Sequence, residues 1–385
     1  MTGPQHEATR DGGAAPPNLL YSQDEDDLRA SLRALLTDRC PPESVIRRVG
    51  SGSPHDRELW SAVAGDLGLA GLLVPVLAGG AGAGPREAAV VLEELGRSVA
   101  PVPFLTSAVL ATTALLAAAP DDELVAALAS GTSTAVLVLP ITSAPGRWAA
   151  AFPSMAGGRL RGRTTAVADA EVADLLLVPA HDQTGALLFA VPASAAGVVV
   201  LPRESLDSTR RLAEVTVDLP VTGARLVARG EAVTAGVERA LLVGAGLLAS
   251  EQVGVAQWCL DTTVEYVKRR YQFARPVGSF QAVKHRLADL WLKVSQARAA
   301  ARYAADALAS GAADAEIAVA VAASFASQVA VQAAEECIQL HGGIGMTWEH
   351  PAHLYLKRAK SSQLTLGAPS RHRAVLAGLL DLPPA

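Results

Sequence analysis

Two short segments in the C-terminal third of the chain carry residues suited to binding a phosphate-bearing ligand. They lie at residues 270–273 (RYQF) and 339–343 (QLHGG). Arg270 can supply charge to a phosphate, and two successive glycines, which carry no Cβ, let the backbone approach a ligand closely. Phe273 can pack against an aromatic ring, and Gln339 can hydrogen-bond the edge of a base or a sugar.

A simpler interpretation of each segment stays open. Arg270 would then be a solvated residue at a helix end, and the glycine pair would be a helix C-cap. A separate glycine-rich run at residues 79–84 lacks the G-x-G-x-x-G spacing and the strand–helix unit of a dinucleotide loop, so we interpret it as an ordinary loop.

The elements that must position these segments follow from composition and periodicity. Residues 1–21 are polar and rich in Gly and Pro, which predicts disorder. Helical spacing of apolar residues predicts a helical domain over 22–130. Short apolar runs bounded by Gly, Pro and Asp predict a β domain over 131–229, and long helical patterns predict a helical domain over 230–385. The predicted fold class is therefore α+β.

Composition excludes several classes of protein. The net charge of −5 argues against nucleic-acid binding through bulk positive charge. No run of ~18 uncharged apolar residues could span a bilayer, and the N-terminus lacks an export signal, so we expect a cytoplasmic protein. Cys40, Cys259 and Cys337 lie far apart without CxxC spacing, which predicts buried reduced thiols and no metal site.

Residues 270–285 (RYQFARPVGSFQAVKH) resemble the flavin-contacting loop of acyl-CoA dehydrogenases, and residues 339–350 (QLHGGIGMTWEH) resemble the second signature of that family. Weaker support comes from Gly79-Gly80 followed by residues 93–97 (EELGR). The order, separation and helical flanks of the two motifs agree as well, so the similarity covers most of the chain. The form of the second motif looks like that of bacterial enzymes acting on bulky or unusual acyl-CoAs.

The resemblance implies an N-terminal helical domain, a middle β-barrel-like domain and a C-terminal four-helix bundle. It also implies bound FAD, an acyl-CoA or acyl-carrier thioester as substrate, and α,β-dehydrogenation as the reaction. The residues implied to contact the cofactor are Arg270, Gln272, Phe273, Phe280, Gln281, Gln339, His341, Gly342 and Gly343.

The catalytic base of the family is missing from both of its usual positions. In the family a glutamate removes the α-proton while the flavin accepts the β-hydride. The commoner base lies in a stretch like Tyr-Glu-Gly-Thr, which matches residues 365–368 (TLGA) and places Leu366 at the base. The other position, on the long helix before Arg270, is Gly244. Glu251, about two turns further along the same helix face, is the candidate for a relocated base or else a structural, hydrogen-bonded carboxylate.

The β domain departs from the family pattern too. The family loop Thr-Glu-Pro-Gly-x-Gly-Ser-Asp matches residues 138–145 (VLPITSAP), where little beyond Pro140 is retained, and Trp-Ile-Thr matches residues 166–168 (AVA). Thr142 and Ser143 remain as polar candidates for contact with the flavin.

These departures have a common pattern. In the family the flavin lies between two subunits, with the two C-terminal motifs acting mainly in trans and the base and β loop acting in cis. This chain keeps the trans set and lacks the cis set, which predicts one half of a heteromeric, α2β2-like enzyme. Two alternatives stay open: a homo-oligomeric dehydrogenase using Glu251, and a non-catalytic acyl-thioester binding protein without flavin.

The first long helix of the last domain is apolar on more than one stripe. Such a helix must be buried on most sides, so we expect the helices after Glu231 to form the subunit interface. The residues concerned are Leu241, Leu242, Val243, Leu247, Leu248, Val253, Val255 and Leu260.

Overall fold

The computed structural model describes residues 19–52, 55–148 and 153–382. The chain begins with helices, and π-helical segments at Ala62–Asp66 and Phe104–Ala111 continue α3 and lead into α5. The helices are α1 (Gln23–Arg39), α2 (Pro42–Gly50), α3 (Arg57–Ser61), α4 (Pro85–Arg97), α5 (Thr112–Ala118) and α6 (Glu123–Ala129).

The part of the chain that the structure describes includes the last residues of the segment predicted to be disordered. The prediction of disorder over residues 1–21 falls mostly on residues 1–18, which lie outside the described residues. The Tyr21 hydroxyl donates to Glu93 Oε2 at 3.0 Å, and the Leu20 carbonyl accepts from Arg302 at 3.2 Å. At Ser22 a capping box with Glu25 then starts α1. Leu20 and Tyr21, which the prediction included, are therefore held by hydrogen bonds to the helices.

The middle part of the chain is a mixed sheet. Eight strands of the described residues form it in the order β6-β7-β3-β2-β4-β5-β8, with β1 parallel to β4. Its edges, β6 and β8, are not paired with each other in the described part of the chain, so the barrel-like domain is an open sheet. The strands are β1 (Ala135–Leu137), β2 (Ser154–Ala156), β3 (Arg159–Ala168), β4 (Leu175–Asp182), β5 (Gly185–Pro192), β6 (Val198–Arg203), β7 (Leu212–Pro220) and β8 (Arg225–Arg229).

Long helices form the rest of the chain. A short hairpin, β9 (Tyr271–Gln272) and β10 (Arg275–Pro276), separates the first two of them, and a 3₁₀ turn at Gly342–Met346 follows the third. The helices are α7 (Glu231–Arg269), α8 (Gln281–Ser310), α9 (Ala315–His341), α10 (Ala352–Ser362) and α11 (Pro369–Leu379). The predicted succession of helices, sheet and helical bundle is thus confirmed.

The apolar surface of α7 is covered by its own chain. It packs against α4, α5, α8 and α9, and Leu241, Leu247, Val253 and Leu260 are each at most 3% exposed. These apolar positions are therefore explained by packing within the chain, and a subunit interface on the helices after Glu231 stays a prediction. Two apolar helical stretches, in α7 and at Ala315–Met346, are long enough to cross a membrane, but 67% and 72% of those windows are buried within the protein.

Helices α4 and α7 meet backbone to backbone. A Cβ added at Gly96 would lie 2.1 Å from the Glu251 carbonyl oxygen, and one at Gly254 would lie 1.9 Å from the Glu93 carbonyl oxygen. Only glycine fits at both positions. This contact fixes α7, which carries most of the residues discussed below, against the N-terminal helices.

Candidate functional site

The two positions at which the family places its base are adjacent in space. A Cβ built on Gly244 would lie 3.0 Å from Leu366 Cδ1 and 2.4 Å from Leu110 Cδ2. Leu366 is 1% exposed and Leu110 is 6% exposed. The space that a carboxylate would need at either position is therefore filled by two leucine side chains, and none of these residues can accept a proton.

Glu251 lies in the interior with its carboxylate fully engaged. It forms a short ion pair with Arg210, lies 3.5 Å from Arg358 and accepts a hydrogen bond from Ser362 Oγ at 3.2 Å. Burial alone would raise the pKa of Glu251, but the guanidinium groups of Arg210 and Arg358 outweigh it and lower that pKa. An ionised carboxylate held by two cations is a weak proton acceptor, so these contacts favour the structural role.

The ion pairs of Glu251 belong to a larger buried network. Arg358 Nε donates to Asp207 Oδ2 at 2.6 Å, and its Nη2 donates to Thr209 Oγ1 at 2.7 Å. Asp207, Thr209 and Arg210 precede β7, whereas Glu251 and Arg358 belong to α7 and α10. The network therefore clamps the sheet to the helical bundle.

A cleft of about 980 Å³ lies between the sheet, the start of α7 and residues 364–371. Ser143, which is buried, and Thr142, which is exposed, both line it, and their contact with a flavin stays a prediction. The backbone of Ile141 links the sheet to the segment that contains Leu366. Its N–H donates to the Ala166 carbonyl and its carbonyl accepts from the Leu366 N–H, each at 2.8 Å.

A glutamate that sequence reasoning missed closes one end of this cleft. Glu238 accepts from the backbone N–H of Gly146 at 2.9 Å and from the indole N–H of Trp148. These bonds hold residues 146–148, which directly follow the counterpart of the family loop, against α7. No pattern in the sequence distinguishes Glu238 from other charged residues of this helix.

The two C-terminal motifs come together at the other end of α7. They line a second cavity of about 610 Å³, formed by Asp261, Thr262, Glu265, Tyr266, Arg269, Arg270, His341 and His350. We call this cavity the Arg270 pocket. Arg270 lies at the C-terminal cap of α7, where its N–H donates to the Tyr266 carbonyl at 2.9 Å. The structure thus brings one residue of the first motif, Arg270, and two of the second, His341 and His350, to the same cavity.

The β9–β10 hairpin projects from the chain. Phe273 is 88% exposed and adopts a left-handed φ of 51°, while Gln272 and Gln281 are exposed as well. Phe280, edge-on to Phe273 with ring centroids 6.3 Å apart, is half-buried beneath the Arg275 guanidinium. An exposed aromatic ring on a tight hairpin is a feature suited to contact outside its own chain.

In the second motif, the backbone of the two glycines has free space beside it. Gly342 has a φ of 63°, which favours glycine, and a Cβ at Gly342 or Gly343 would meet nothing within 4 Å. Gln339 is exposed, whereas His341 is buried with its Nδ1 2.6 Å from the Cys337 carbonyl oxygen. The absence of a side chain at Gly343 is therefore not required by packing within this chain.

Comparison with known proteins identifies the class to which this fold and these motifs belong. Family profiles match residues 22–130 to the acyl-CoA dehydrogenase N-terminal domain and residues 235–379 to the acyl-CoA dehydrogenase C-terminal domain. The chain is a member of the acyl-CoA dehydrogenase family, a family of oxidoreductases.

Individual relatives add detail. The acyl-CoA dehydrogenase IpdE2 of Mycobacterium tuberculosis is 36% identical over 345 residues, covering 89% of this chain and 92% of that protein. A chain of the ChsE4–ChsE5 complex from Mycobacterium tuberculosis superposes with a TM-score of 0.83 at 28% identity, covering 96% of this chain and 100% of that chain. A glutaryl-CoA dehydrogenase from Mycobacterium smegmatis in complex with FADH2 shares the fold, with a TM-score of 0.80 at 19% identity, covering 95% and 96%.

The residues of the Arg270 pocket fit the diphosphate of a flavin dinucleotide. Arg270 has no carboxylate partner among the described residues, and the ring nitrogen Nε2 of His341 is buried there without a hydrogen-bond partner. Both features suit an anionic ligand that approaches between the hairpin and the glycines. The leucine-filled space beside Gly244, in contrast, offers no group for proton abstraction.

Proposed function

We propose that this chain is the base-lacking subunit of a cytoplasmic, heteromeric acyl-CoA dehydrogenase that completes the FAD site of a partner chain. The observation that carries the proposal is the packing of Leu110 and Leu366 against Gly244. General bases must lie within hydrogen-bonding reach of the proton that they remove. The α,β-dehydrogenation of the acyl thioester would therefore use a glutamate of the partner.

The exposed trans motifs support the same proposal. When bound, FAD supplies the acceptor for the hydride that leaves the β-carbon of the acyl group. This chain would contribute Arg270 to the diphosphate, Phe273 as an apolar contact, and the open backbone at Gly342 and Gly343 for close approach. Gln272, Phe280, Gln281 and Gln339 would bind the nucleotide edges around it.

A homo-oligomeric enzyme that uses Glu251 is less compatible with the contacts of that residue. Its carboxylate already binds Arg210, Arg358 and Ser362, and it lines neither the cleft nor the Arg270 pocket. A non-catalytic thioester-binding protein would need room for an acyl group beside Gly244, and that room is occupied by Leu110.

The test is co-expression with a second acyl-CoA dehydrogenase chain that has an intact glutamate base. We expect a stable heteromer, an α2β2-like tetramer, with one FAD for each pair of chains and with acyl-CoA turnover. The chain purified alone should be colourless and inactive. A yellow homo-oligomer that turns over acyl-CoA would overturn the proposal in favour of the Glu251 enzyme. A chain that binds acyl thioester but gains neither FAD nor activity with its partner would favour the binding protein.

A matched pair of variants locates the contribution of this chain within the heteromer. Substitution of Arg270 by Ala should reduce the FAD content, whereas Arg39→Ala should not, because Arg39 is an exposed arginine at the end of α1 and does not line the Arg270 pocket. Equal FAD content in both variants would place the cofactor elsewhere.

A further inference from the structure

A small cavity lies where the N-terminal helices meet the C-terminal bundle. Its volume is about 160 Å³, and four arginines line it: Arg29 and Arg33 of α1, Arg97 of α4 and Arg298 of α8. We call it the Arg97 cavity. It shares no lining residue with the cleft or with the Arg270 pocket. Guanidinium groups from three helices thus converge on one space outside the proposed cofactor site.

The two glutamates beside these arginines already accept hydrogen bonds. Glu93 Oε1 accepts from Arg298 at 3.2 Å, and its Oε2 accepts from the Tyr21 hydroxyl at 3.0 Å. Glu94 Oε1 and Oε2 accept from Arg33 at 2.6 Å and 2.8 Å. Each of these carboxylate oxygens is therefore occupied by a donor of the protein.

The side-chain acceptors that α7 supplies are occupied as well. Asp261 Oδ2 accepts from Arg97 at 2.8 Å, and its Oδ1 accepts from Gln257 Nε2 at 2.7 Å. The side-chain oxygen of Gln257 accepts from Arg298 at 3.0 Å. A ligand in the Arg97 cavity would thus meet acceptors that are already bound to donors of the protein.

The arginines, in contrast, keep unused donors. A guanidinium group has five N–H donors and no acceptor. Arg33 Nη1, Arg298 Nη1 and the Nε and Nη2 atoms of Arg97 form no hydrogen bond with the described residues. Because the acceptors are occupied and donors remain, the wall favours a ligand that accepts hydrogen bonds.

The charges of the same side chains favour an anion. The four guanidinium groups share three carboxylates, those of Glu93, Glu94 and Asp261, which leaves one positive charge uncompensated. Burial alone would raise the pKa of Glu93, but the guanidinium groups of Arg29 and Arg298 outweigh it and lower that pKa, so this carboxylate is ionised. The positive excess is local, since the whole chain has a net charge of −5.

We propose that the Arg97 cavity binds a small tetrahedral oxyanion, with inorganic phosphate as the ligand. Pockets that bury drug-sized ligands typically measure ~300–1,000 Å³, so a cavity of about 160 Å³ suits the ion alone rather than a nucleotide. Hydrogen bonds from a guanidinium to a phosphate oxygen belong to the strong, charge-assisted class, and Arg33, Arg97 and Arg298 each have a donor free for one. The bound ion would join α1, α4 and α8, and this role is independent of the proposed function.

The test is a calorimetric titration of the purified chain with inorganic phosphate, at constant ionic strength in chloride. We expect saturable binding of one ion per chain in the wild type and in the control Arg39→Gln, at an exposed arginine at the end of α1 that does not line the cavity. Arg33→Gln and Arg97→Gln should each weaken binding by about tenfold or more, because each removes a charge-assisted contact. Absence of saturable binding in the wild type, or equal affinity in all four proteins, would overturn the proposal.

A second measurement locates the ion in the wild type, so it does not depend on whether a variant folds. Crystals of the chain soaked in selenate, a tetrahedral oxyanion like phosphate, should show an anomalous selenium peak in the Arg97 cavity. The selenate oxygens should lie within hydrogen-bond distance of Arg33 Nη1 and Arg97 Nη2, at about 2.7–3.2 Å. Selenate bound only at other places, with the cavity free of it, would overturn the proposal even if the titration showed binding.

Discussion

Arg358 and Asp207 form an ion pair at 2.6 Å in which each side chain is only 2% exposed. Together with Arg210 and Glu251 they make a buried cluster of two cations and two anions. Removing one member leaves an uncompensated buried charge, which is far more costly than the loss of a surface pair. The cluster therefore fixes the sheet against α7 and α10, and it can do so only when all four charged groups are present.

The substitution Asp207→Asn should destabilise the folded chain by about 3–5 kcal/mol, because Arg358 loses its closest counter-ion. Chemical denaturation of the purified protein measures the change in the free energy of unfolding. The exposed pair between Lys360 of α10 and Glu335 of α9 provides the control, and Glu335→Gln should change stability by less than about 1 kcal/mol. Equal effects of the two substitutions would contradict a clamping role.

Glu25 should make the N-terminal helices sensitive to acid. Burial alone would raise its pKa, but hydrogen bonds from Arg302 and Arg86 lower the pKa of Glu25 from 4.5 to about 2. A depressed carboxyl pKa contributes stability that is present above the unfolded value and is lost as pH falls from about 4.5 towards 2. We expect Glu25→Gln to lose about 1–2 kcal/mol near neutral pH and to show a shallower dependence of stability on pH in this window. The control is Glu43→Gln, at an exposed glutamate of α2, whose pH dependence should match the wild type.

The contact between α4 and α7 should not tolerate a methyl group. Gly254→Ala would place Cβ 1.9 Å from the Glu93 carbonyl oxygen, so the helices must separate, at a cost of about 3 kcal/mol or more. Gly378→Ala in α11 meets nothing within 4 Å and should be neutral or stabilising by up to about 1 kcal/mol. Thermal unfolding of the two variants gives opposite shifts if the packing is as described.

Arg270→Ala should weaken FAD retention in the heteromer by roughly ten- to a hundred-fold, since a charge-assisted contact to phosphate is typically worth about 1.5–3 kcal/mol. The measurement is the dissociation constant of FAD, with Arg39→Ala, at an exposed arginine at the end of α1, as the matched control. An unchanged constant in Arg270→Ala would place this residue outside the cofactor site.

Glu251→Gln should leave the chemical step of the heteromer within a few-fold of the wild type, because the proposed base is on the partner. The variant keeps the size of the side chain but weakens its bonds to Arg210 and Arg358, so lower stability is expected. Single-turnover reduction of the flavin separates the two effects. Loss of flavin reduction in a folded heteromer with a full complement of FAD would show that Glu251 is the base.

The order of helices, sheet and bundle could be predicted from sequence because apolar periodicity reports burial directly. The strand β3 has no clear signal in the sequence, since residues 159–168 contain three arginines, two threonines and a glycine. The short helix α2 has none either: it starts at Pro42, after another proline, and only Val45 in it is buried. Both are stabilised by their neighbours in space, which single-sequence patterns do not record.

Some residues of the candidate site could likewise be predicted from the sequence, and others could not. The Arg270 and His341 motifs were found because their spacing is distinctive, and the structure brings these two residues together in one pocket. The burial of α7 was assigned to a subunit interface because an apolar helix does not reveal whether its covering comes from its own chain. No sequence pattern singles out Leu110 or Glu238, because their roles come from contacts in space. Leu110 packs beside Gly244, and Glu238 binds Gly146 and Trp148.

Ile141 bonds to Ala166 on one side and to Leu366 on the other, so three distant segments hold one another in place through their backbones. The substitution Leu366→Glu would place a carboxylate in this segment, but Leu110 would still fill the space beside Gly244. If the proposed function holds, a base at this place would require coordinated changes at Leu366 and Leu110, and without them the chain would need a partner for proton abstraction.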